Sequence, residues 1–541
     1  MVKILAALLF ILLSSNIRGQ AVSYNYFYRI TFIDKKASTS DYMPWQLLSE
    51  KAIARRKKAG IDFLDYRDLP VNKEEIKVLT DLGLILHSTS KWMNSALMKS
   101  ITPADIPKIL LLPNVAEVKT VRKPGTKSSF SEKLKSDVQD SEINRYDVPV
   151  SMLDGYTLHD QGFKGQGILI AVLDAGFDNA EEITSLEHLR NRGGIKATYD
   201  FVQKNNLVYN SHTHGTAVLS ILAGKLPMEI EGTAQDADYL LLKTEDANSE
   251  YPCEEDYWAA GAEFADSAGA DIITSSLGYS TFDDPSMNYT FSDLDGNKSF
   301  VTRVADIAAS KGIVVVNSAG NERDKIWKRI ICPADGKNVI AVGAVDDSET
   351  ISTFSSAGPS FDRRIKPDFV ALGVKVPLQT SNTSVVTANG TSFSCPVISG
   401  MTACLMQAVP EAKNSDIIKV MRESADRVSA PDSLYGYGIP DMGKALLKLQ
   451  DLFIKVPEGM SLVSPNPTTG EFEITFREPY ETIVAEIFTA SGRIIWKKEI
   501  DNFAGRILKV NELINREQGL YIIRITTPSA KMVHKVIKLR N

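Results

Sequence analysis

The sequence is poor in cysteine, carries little net charge, and has no long apolar stretch after its first residues. Four cysteines in 541 residues are too few for a disulfide scaffold, and no Cys-x-x-Cys pair occurs. A formal charge of −6 is small for this length and argues against nucleic acid as the main partner. An apolar content of 43% with 24% charged residues is that of a soluble globular protein, and the length predicts roughly two to four domains.

The first residues have the pattern of a secretory signal. Lys3 supplies the positive end, residues 4–13 are uncharged and apolar, and small and polar residues follow, with Gly19-Gln20 as the predicted cleavage point. The apolar run is too short to span a bilayer, which takes about 20 residues. We therefore expect residues 1–19 to be a signal peptide, the protein to be exported, and no transmembrane segment. A buried helix of the mature fold is the alternative interpretation of this run.

Two blocks precede residue 147. Residues from about 23 to 122 begin with an aromatic, β-like run and continue with a basic helical stretch over 49–58, ended by Gly60. Contact with nucleic acid is one interpretation of these charges, but a solvated helix face is the expectation. Residues 122–146 are polar and predict an exposed linker of the kind that proteases cut.

The central block, 147–452, alternates short apolar runs with helical stretches. Such a pattern predicts an α/β fold, in which a parallel sheet is covered by helices on both faces. The predicted strands are 168–173, 239–242, 271–274, 313–316 and 339–342, and the helical stretches include 258–268 and 302–310. From about 455, turn residues and short alternating strands predict a small β-sandwich.

Three polar residues lie at the ends of apolar elements in the central block. Asp174 closes the first predicted strand, His214 opens an apolar helical run, and Ser392 follows Gly390-Thr391 at the start of a helix. Open parallel sheets place their sites at the carboxyl ends of the strands. There Asp174 can accept the Nδ1–H of His214, whose Nε2 takes the proton of Ser392 and returns it to a leaving amine. The three residues therefore predict acyl-transfer chemistry.

A fourth segment supplies a hydrogen-bond donor for an oxyanion. After the predicted strand 313–316, Gly320 permits a tight turn that presents the carboxamide of Asn321. Together with the backbone N–H of Ser392, at the positive end of its helix, this amide forms a predicted oxyanion hole.

These segments resemble the four signatures of the subtilisin-like serine proteases. The matching residues are Asp174-Ala175-Gly176, His214-Gly215-Thr216, Ser318-Ala319-Gly320-Asn321 and Gly390-Thr391-Ser392-x-x-x-Pro396. The resemblance covers about 147–452 and implies a subtilisin-like peptidase domain with Asp174, His214 and Ser392 as its triad. It also implies Asn321 as oxyanion donor, and that the substrate backbone pairs as an added strand with Ser276, Leu277 and Gly278.

The flanking blocks resemble two other kinds of domain. Residues 20–122 resemble the inhibitory propeptides of this family, with the linker 123–146 as the place of cleavage. Residues 455–541 are similar to the C-terminal sorting domains of the type IX secretion system of Bacteroidetes, through Pro465-Asn466-Pro467 and the basic end 535–540. These resemblances imply an inactive precursor, an outer-membrane secretion machinery as partner, and the cell surface or the medium as destination.

Other polar clusters are weaker candidates. His212-Thr213-His214 has no third close ligand, so no metal site is predicted there. Asp293-x-Asp295-Gly296-Asn297 has residue types that could hold calcium, which subtilisins often bind, but its glycine comes too early for an EF-hand loop and an exposed acidic turn is the commoner explanation. The predicted chemistry requires no cofactor, and a structural calcium ion stays open.

The cysteines give one open question. Cys395 and Cys404 are predicted to lie on one helix, about 13 Å apart, which is too far to bridge. Cys253 and Cys332 fall in loops that the resemblance places beside the cleft, where an exported protein permits a disulfide.

The expected function is that of a secreted serine endopeptidase acting on proteins or peptides through an acyl-enzyme. An inactive homologue that only binds peptides is one alternative, but it would lack a triad or oxyanion residue, and none is missing here. A secreted esterase or amidase is the other, although no Gly-x-Ser-x-Gly elbow is present.

Overall fold

A computed structural model describes residues 26–124, 146–382, 384–453, 456 and 460–540, which form three folded units. The predicted signal peptide, 1–19, lies outside the described residues, and so do residues 125–145 of the predicted linker. Within the described ranges, no helix is long and apolar enough to cross a membrane.

The N-terminal unit is a four-stranded antiparallel sheet in the order β2-β3-β1-β4, and the helices α2 and α3 pack with it in one core. Its elements are β1 (Tyr26–Phe32), α1 (Glu50–Ala59), α2 (Lys73–Asp81), β2 (Ile85–Ser90), β3 (Ser95–Ser100), α3 (Ile106–Leu110) and β4 (Val115–Arg122). Because side chains alternate along a strand, Tyr28 and Ile30 of β1 fill this unit's own core. Phe27 points the other way and joins the core of the central unit.

The central unit contains a seven-stranded parallel sheet in the order β13-β12-β11-β10-β5-β9-β6. Its strands are β5 (Leu169–Asp174), β6 (Ile195–Asp200), β9 (Asp238–Lys243), β10 (Ile272–Ser275), β11 (Val314–Ser318), β12 (Val339–Val345) and β13 (Phe369–Leu372). Two short antiparallel pairs complete it: β7 (Lys225–Leu226) with β8 (Ile230–Glu231), and β14 (Val376–Leu378) with β15 (Val386–Ala388).

Helices cover both faces of this sheet. They are α4 (Val148–Ser151), α5 (Tyr156–His159), α6 (Glu187–Asn191), α7 (His214–Ala223), α8 (Cys253–Ala268), α9 (Phe300–Ser310), α10 (Thr391–Ala408), α11 (Asn414–Ser424) and α12 (Met442–Phe453). Alternate residues of β5 enter two different cores: Ile170 and Val172 pack on the α7 and α10 side, and Ala171 and Leu173 on the α8 and α9 side. Burial on both faces explains why these strands are apolar throughout.

The C-terminal unit consists of two antiparallel sheets, in the orders β16-β17-β20 and β19-β18-β21-β22, around one apolar core. The strands are β16 (Ser461–Ser464), β17 (Phe472–Phe476), β18 (Tyr480–Thr489), β19 (Ile494–Phe503), β20 (Ile507–Val510), β21 (Gly519–Thr526) and β22 (Lys531–Lys538). The predicted α/β fold and the appended β-sandwich are both confirmed.

The five predicted central strands are β5, β9, β10, β11 and β12, and each prediction overlaps the observed strand. The edge strand β6 was not predicted, because only its last residue, Asp200, is fully buried and its sequence mixes polar and apolar residues. The basic stretch 49–58 forms α1, which ends at Gly60 in the left-handed conformation with φ 73°. The expectation that its charges face solvent is wrong for Arg55 and Arg56, which are 3% and 0% exposed.

Candidate active site

The chain brings Asp174 and His214 into direct contact at the carboxyl ends of the central strands. Asp174 is the last residue of β5, the strand between β10 and β9, and its side chain is fully buried. Its Oδ1 accepts hydrogen bonds from the N–H of Ala175 at 2.7 Å and from Nδ1 of His214 at 2.8 Å. Its Oδ2 is buried and has no hydrogen-bond partner in the described part of the chain.

His214 is the first residue of α7, a fully buried apolar helix. Two glycines let the chain segments cross here: a Cβ on Gly215 would lie 2.5 Å from the carbonyl oxygen of Gly176. A Cβ on Gly176, whose φ is 146°, would lie 2.8 Å from the backbone nitrogen of His212. The glycines of the Asp174-Ala175-Gly176 and His214-Gly215 segments therefore allow the close approach that joins the carboxylate to the imidazole.

The surroundings of His214 favour its protonated form. Burial alone lowers the pKa of the imidazole, but the charge and hydrogen bond of Asp174, together with the charge of Glu245, outweigh burial and raise it. The neighbouring His212 responds in the opposite direction, because burial and the charge of His214 both lower its pKa. His212 uses its Nδ1 to accept the backbone N–H of His214 at 3.1 Å.

Ser392 is the second residue of α10, after Gly390. Its hydroxyl donates to the carbonyl oxygen of Ser276 at 3.3 Å, and the hydroxyl of Ser276 donates to the carbonyl oxygen of Ser392 at 2.8 Å. The second bond is made possible by Pro396, which has no N–H to donate to the Ser392 carbonyl four residues earlier. A proline inside the helix therefore ties Ser392 to the segment that follows β10.

The ring of Phe393, next to Ser392, lies 5.8 Å from the ring of His214, centroid to centroid. Ser392 and His214 therefore lie near each other at the N-terminal ends of α10 and α7. In this conformation the Ser392 hydroxyl points to Ser276. Hydrogen bonds between catalytic groups commonly tighten only when substrate is bound.

Asn321 follows β11 across Gly320, whose φ is 106°. Its Oδ1 accepts the N–H of Thr391 at 2.9 Å and the Thr391 hydroxyl at 3.0 Å, and the Gly320 N–H donates to the same hydroxyl at 3.2 Å. These bonds fix the carboxamide and leave Nδ2 as its donor, on the side where Gly390 has no side chain. The role of Thr391 was not predicted, because it depends on the contact between two distant turns.

Ser276, Leu277 and Gly278 come directly after β10. Ser276 and Leu277 are buried, and the carbonyl of Leu277 accepts a hydrogen bond from Nδ2 of Asn317 at 2.9 Å. The next residue, Tyr279, makes an antiparallel bridge with Cys332. The segment therefore runs from the end of β10 past Asn317 of β11 to the bridge with Cys332.

One group of carboxylates has metal-binding geometry. Glu245, Glu250 and Glu254 are buried and offer ligand oxygens within 4.8 Å of one another. The earlier candidate, 293–297, uses its oxygens locally: Asp295 Oδ1 accepts the N–H groups of Asn297 and Lys298 at 2.9 and 2.8 Å. These are the hydrogen bonds of an acidic turn.

Cys253 and Cys332 are not joined in a disulfide: all four cysteines are free, buried thiols. The thiol of Cys404 donates to the carbonyl of Thr233 at 3.2 Å. Burial raises the pKa of Cys253 to about 12 and that of Cys395 to about 11. Thiols in such surroundings are unreactive.

Each of the three units is similar to known proteins. Subtilisin E of Bacillus subtilis is 29% identical over 56% of this chain and 69% of its own length. Subtilisin-like protease SBT6.1 of Arabidopsis thaliana is 29% identical over 52% of this chain, but this match spans only 26% of the Arabidopsis protein. Among solved structures, MycP1 from the ESX-1 type VII secretion system aligns with 58% of this chain and 87% of its own, at 20% identity and a TM-score of 0.43.

Three family models match the chain in order. Residues 27–151 match the peptidase S8 propeptide domain of Bacteroidota, and residues 462–539 match a secretion system C-terminal sorting domain. The sorting domain marks the protein for export, to the cell surface or the medium. Residues 165–438, just over half of the chain, match the subtilase family model. The chain therefore belongs to the subtilase family of serine-type peptidases, as a precursor with a propeptide and a sorting domain.

Proposed function

We propose that this protein is a secreted endopeptidase that hydrolyses peptide bonds of proteins through an acyl-enzyme on Ser392. The observation that carries the proposal is the hydrogen bond of 2.8 Å between Asp174 and His214, at the strand edge where Ser392 and Asn321 also lie. Asp174 orients the imidazole and stabilises its positive charge, His214 is the general base, and Ser392 is the nucleophile.

The reaction begins when a peptide pairs with Ser276, Leu277 and Gly278 and its carbonyl carbon approaches Ser392. Nε2 of His214 takes the hydroxyl proton while Oγ bonds to the carbonyl carbon. The oxyanion accepts hydrogen bonds from Nδ2 of Asn321 and the backbone N–H of Ser392. His214 then returns the proton to the leaving nitrogen as the C–N bond breaks. Water, deprotonated by the same imidazole, releases the acyl group. No step needs a cofactor.

The chain is proposed to divide into a signal peptide (1–19), a propeptide (20–122), a linker cut during maturation (123–146), the peptidase (147–452) and the sorting domain (455–541). The mature enzyme would act outside the cytoplasm on protein or peptide substrates. The propeptide and the secretion machinery are its other partners.

Two substrates test this proposal. We expect the purified mature protein to degrade casein, and Ser392→Ala to lose that activity. Hydrolysis of small esters without casein cleavage would favour an esterase, and inactivity on both with intact folding would favour a peptide-binding homologue. Removal of the propeptide is scored separately by N-terminal sequencing, because a second protease can perform it.

A further inference from the structure

The basic helix α1 of the propeptide is packed against the ends of two peptidase helices. The N–H of Ser49, which caps α1, donates to the carbonyl of Ser267 in the last turn of α8 at 2.9 Å. Glycines follow both helices where α1 approaches: a Cβ on Gly269 would lie 2.7 Å from Cβ of Lys51, and one on Gly312 would lie 3.1 Å from Cβ of Ala59. A side chain at Gly269 would overlap Lys51, and one at Gly312 would be in tight contact with Ala59.

Arg55 binds the peptidase unit with its whole guanidinium group. It donates to the carbonyl of Lys311 at 3.2 Å, the carbonyl of Asp266 at 3.2 Å, the carbonyl of Ala270 and the carboxylate of Asp266. These carbonyls lie at the C-terminal ends of α8 and α9, where helix carbonyls lack intrahelical partners and a positive charge is favoured. All four acceptors belong to the peptidase, although Arg55 belongs to the propeptide.

Arg56 extends the contact into an alternating series of charges. One carboxylate oxygen of Asp266 pairs with Arg55, and the other accepts Nη2 of Arg56 at 2.6 Å. Arg56 also binds both oxygens of Asp68, at 2.7 and 2.9 Å, and Asp68 accepts Nζ of Lys311 at 2.9 Å. The side chains of these five residues are at most 3% exposed.

This contact is separate from the cleft. Asp271, bound by Lys51 at 2.7 Å, and Gly312 precede β10 and β11, whereas Ser276 and Asn321 follow the ends of these strands. Because the strands are parallel, the α1 contact lies at one edge of the sheet and the candidate active site at the other.

We propose that Asp266 and the C-terminal ends of α8 and α9 form a second docking site, the basal dock, which recognises a helix with two adjacent arginines and holds the propeptide after the linker is cut. Its occupant is α1 of the same chain. Cutting the linker then leaves a complex whose lifetime depends strongly on Arg55, Arg56 and Asp266, in addition to the packing of Phe27 and the ion pair of Arg29 with Asp256. The consequence for activity rests on the proposed function, but the binding itself does not.

The test uses the full-length chain with Ser392→Ala, in which residues 128–134 are replaced by the recognition sequence of an unrelated site-specific protease. After cleavage, size-exclusion chromatography and dilution give the rate at which the propeptide leaves. We expect the two pieces to co-elute, and Arg55→Met to raise the dissociation rate about 100-fold or more, because it removes the donor to one oxygen of the buried Asp266 carboxylate and leaves only Arg56 on the other. Lys57→Met is the matched control, because it removes one positive charge from an exposed position of the same helix. It should change the dissociation rate less than about threefold.

Equal dissociation rates for Arg55→Met and Lys57→Met would overturn the proposal, as would a propeptide that leaves at once from the chain with the dock intact. If Arg55→Met shows no cooperative thermal unfolding before cleavage, the isosteric Asp266→Asn decides in its place. The assay measures dissociation and not hydrolysis, and N-terminal sequencing shows whether the chain was cut only at the inserted site, so a failure of the proposed function is recognised separately.

Discussion

A buried aspartate lies near each edge of the central sheet, and the two carboxylates differ in how completely they are hydrogen-bonded. At the carboxyl edge, Asp174 has two donors on Oδ1 and none on Oδ2 in the described part of the chain. At the amino edge, both oxygens of Asp266 are paired with a guanidinium. Incompletely satisfied polar groups are rare in protein interiors and concentrate at functional sites.

The two sites are therefore expected to control different quantities: the active site controls the rate of hydrolysis, and the basal dock controls the affinity for the propeptide. At the carboxyl edge, the Ser392 hydroxyl donates to the Ser276 carbonyl, a bond that a substrate can replace, and the bonds of Asn321 Oδ1 leave Nδ2 as a donor for the substrate. At the basal dock, each of the five charged side chains is paired with an opposite charge, although Nε of Arg56 has no hydrogen-bond partner in the described ranges. We therefore expect substitutions at the first edge to change the rate of hydrolysis and substitutions at the second to change only the retention of the propeptide.

The largest effect is expected for His214→Ala. Loss of the general base should lower kcat on a peptide substrate by about 10⁶-fold, the magnitude known from subtilisin itself. His534→Ala, which removes a histidine of the C-terminal sandwich hydrogen-bonded to Ser461, is the control and should leave kcat unchanged. A comparable loss in both variants would point to misfolding.

Asp174→Asn should lower kcat by about 10⁴-fold, because the imidazole loses its orienting acceptor. The pH profile gives a second readout. Asp174 raises the pKa of His214, and the neutral base acts only above that pKa. Removing the charge lowers the pKa, so the acid limb of kcat/KM should move to lower pH. Asp347→Asn, at an exposed aspartate, should leave the limb in place. An unmoved limb in Asp174→Asn would contradict the assignment of the base.

Asn321→Ala should lower kcat by about 10²–10³-fold with little change in KM, the range known for the loss of one oxyanion donor. The donor acts on charge that develops only in the transition state, so substrate binding is spared. Asn338→Ala, at an exposed asparagine directly before β12, is the control. A rise in KM at constant kcat would assign Asn321 to substrate binding instead.

The smallest effect is expected at the amino edge. Gly269→Ala should speed propeptide dissociation by about 10-fold or more through overlap with Lys51, while kcat/KM of the released peptidase stays unchanged. Gly193→Ala is the matched control for Gly269→Ala. Gly193 also has a positive φ, 65°, but a Cβ there would have no atom within 4 Å. The dissociation assay described for the basal dock measures both.

The sequence predicts five strands of the central sheet that are buried on both sides, although β13, which is buried throughout, was not among the predicted strands. The apolar runs of β5 and β11 are recognisable because every residue meets a core. The edge strand β6 escapes prediction because one side meets solvent and its polar residues conceal the strand.

The residues of the candidate site can be predicted from the sequence, but the hydrogen bonds that hold them in place cannot. Asp174, His214 and Ser392 each stand at the end of an apolar element. The bonds of Thr391 to Asn321 and of Ser276 to Ser392 join segments 70 and 116 residues apart, which no local pattern reveals. The one local signal is Pro396, whose missing N–H frees the Ser392 carbonyl.

The burial of Arg55 and Arg56 shows the limit of helix patterns most clearly. A basic helix predicts a solvated face unless a surface of opposite charge is known to cover it. Here that surface is Asp266 and the carbonyls at two helix ends, which come together only in the folded chain.

Labelling with a fluorophosphonate tests the central claim most directly. Such reagents phosphonylate a serine only when a base and an oxyanion hole activate it. After release of the propeptide, mass spectrometry should show one adduct per chain, on Ser392, and His214→Ala should prevent it. An adduct on another residue, or none on a folded and processed protein, would contradict the account.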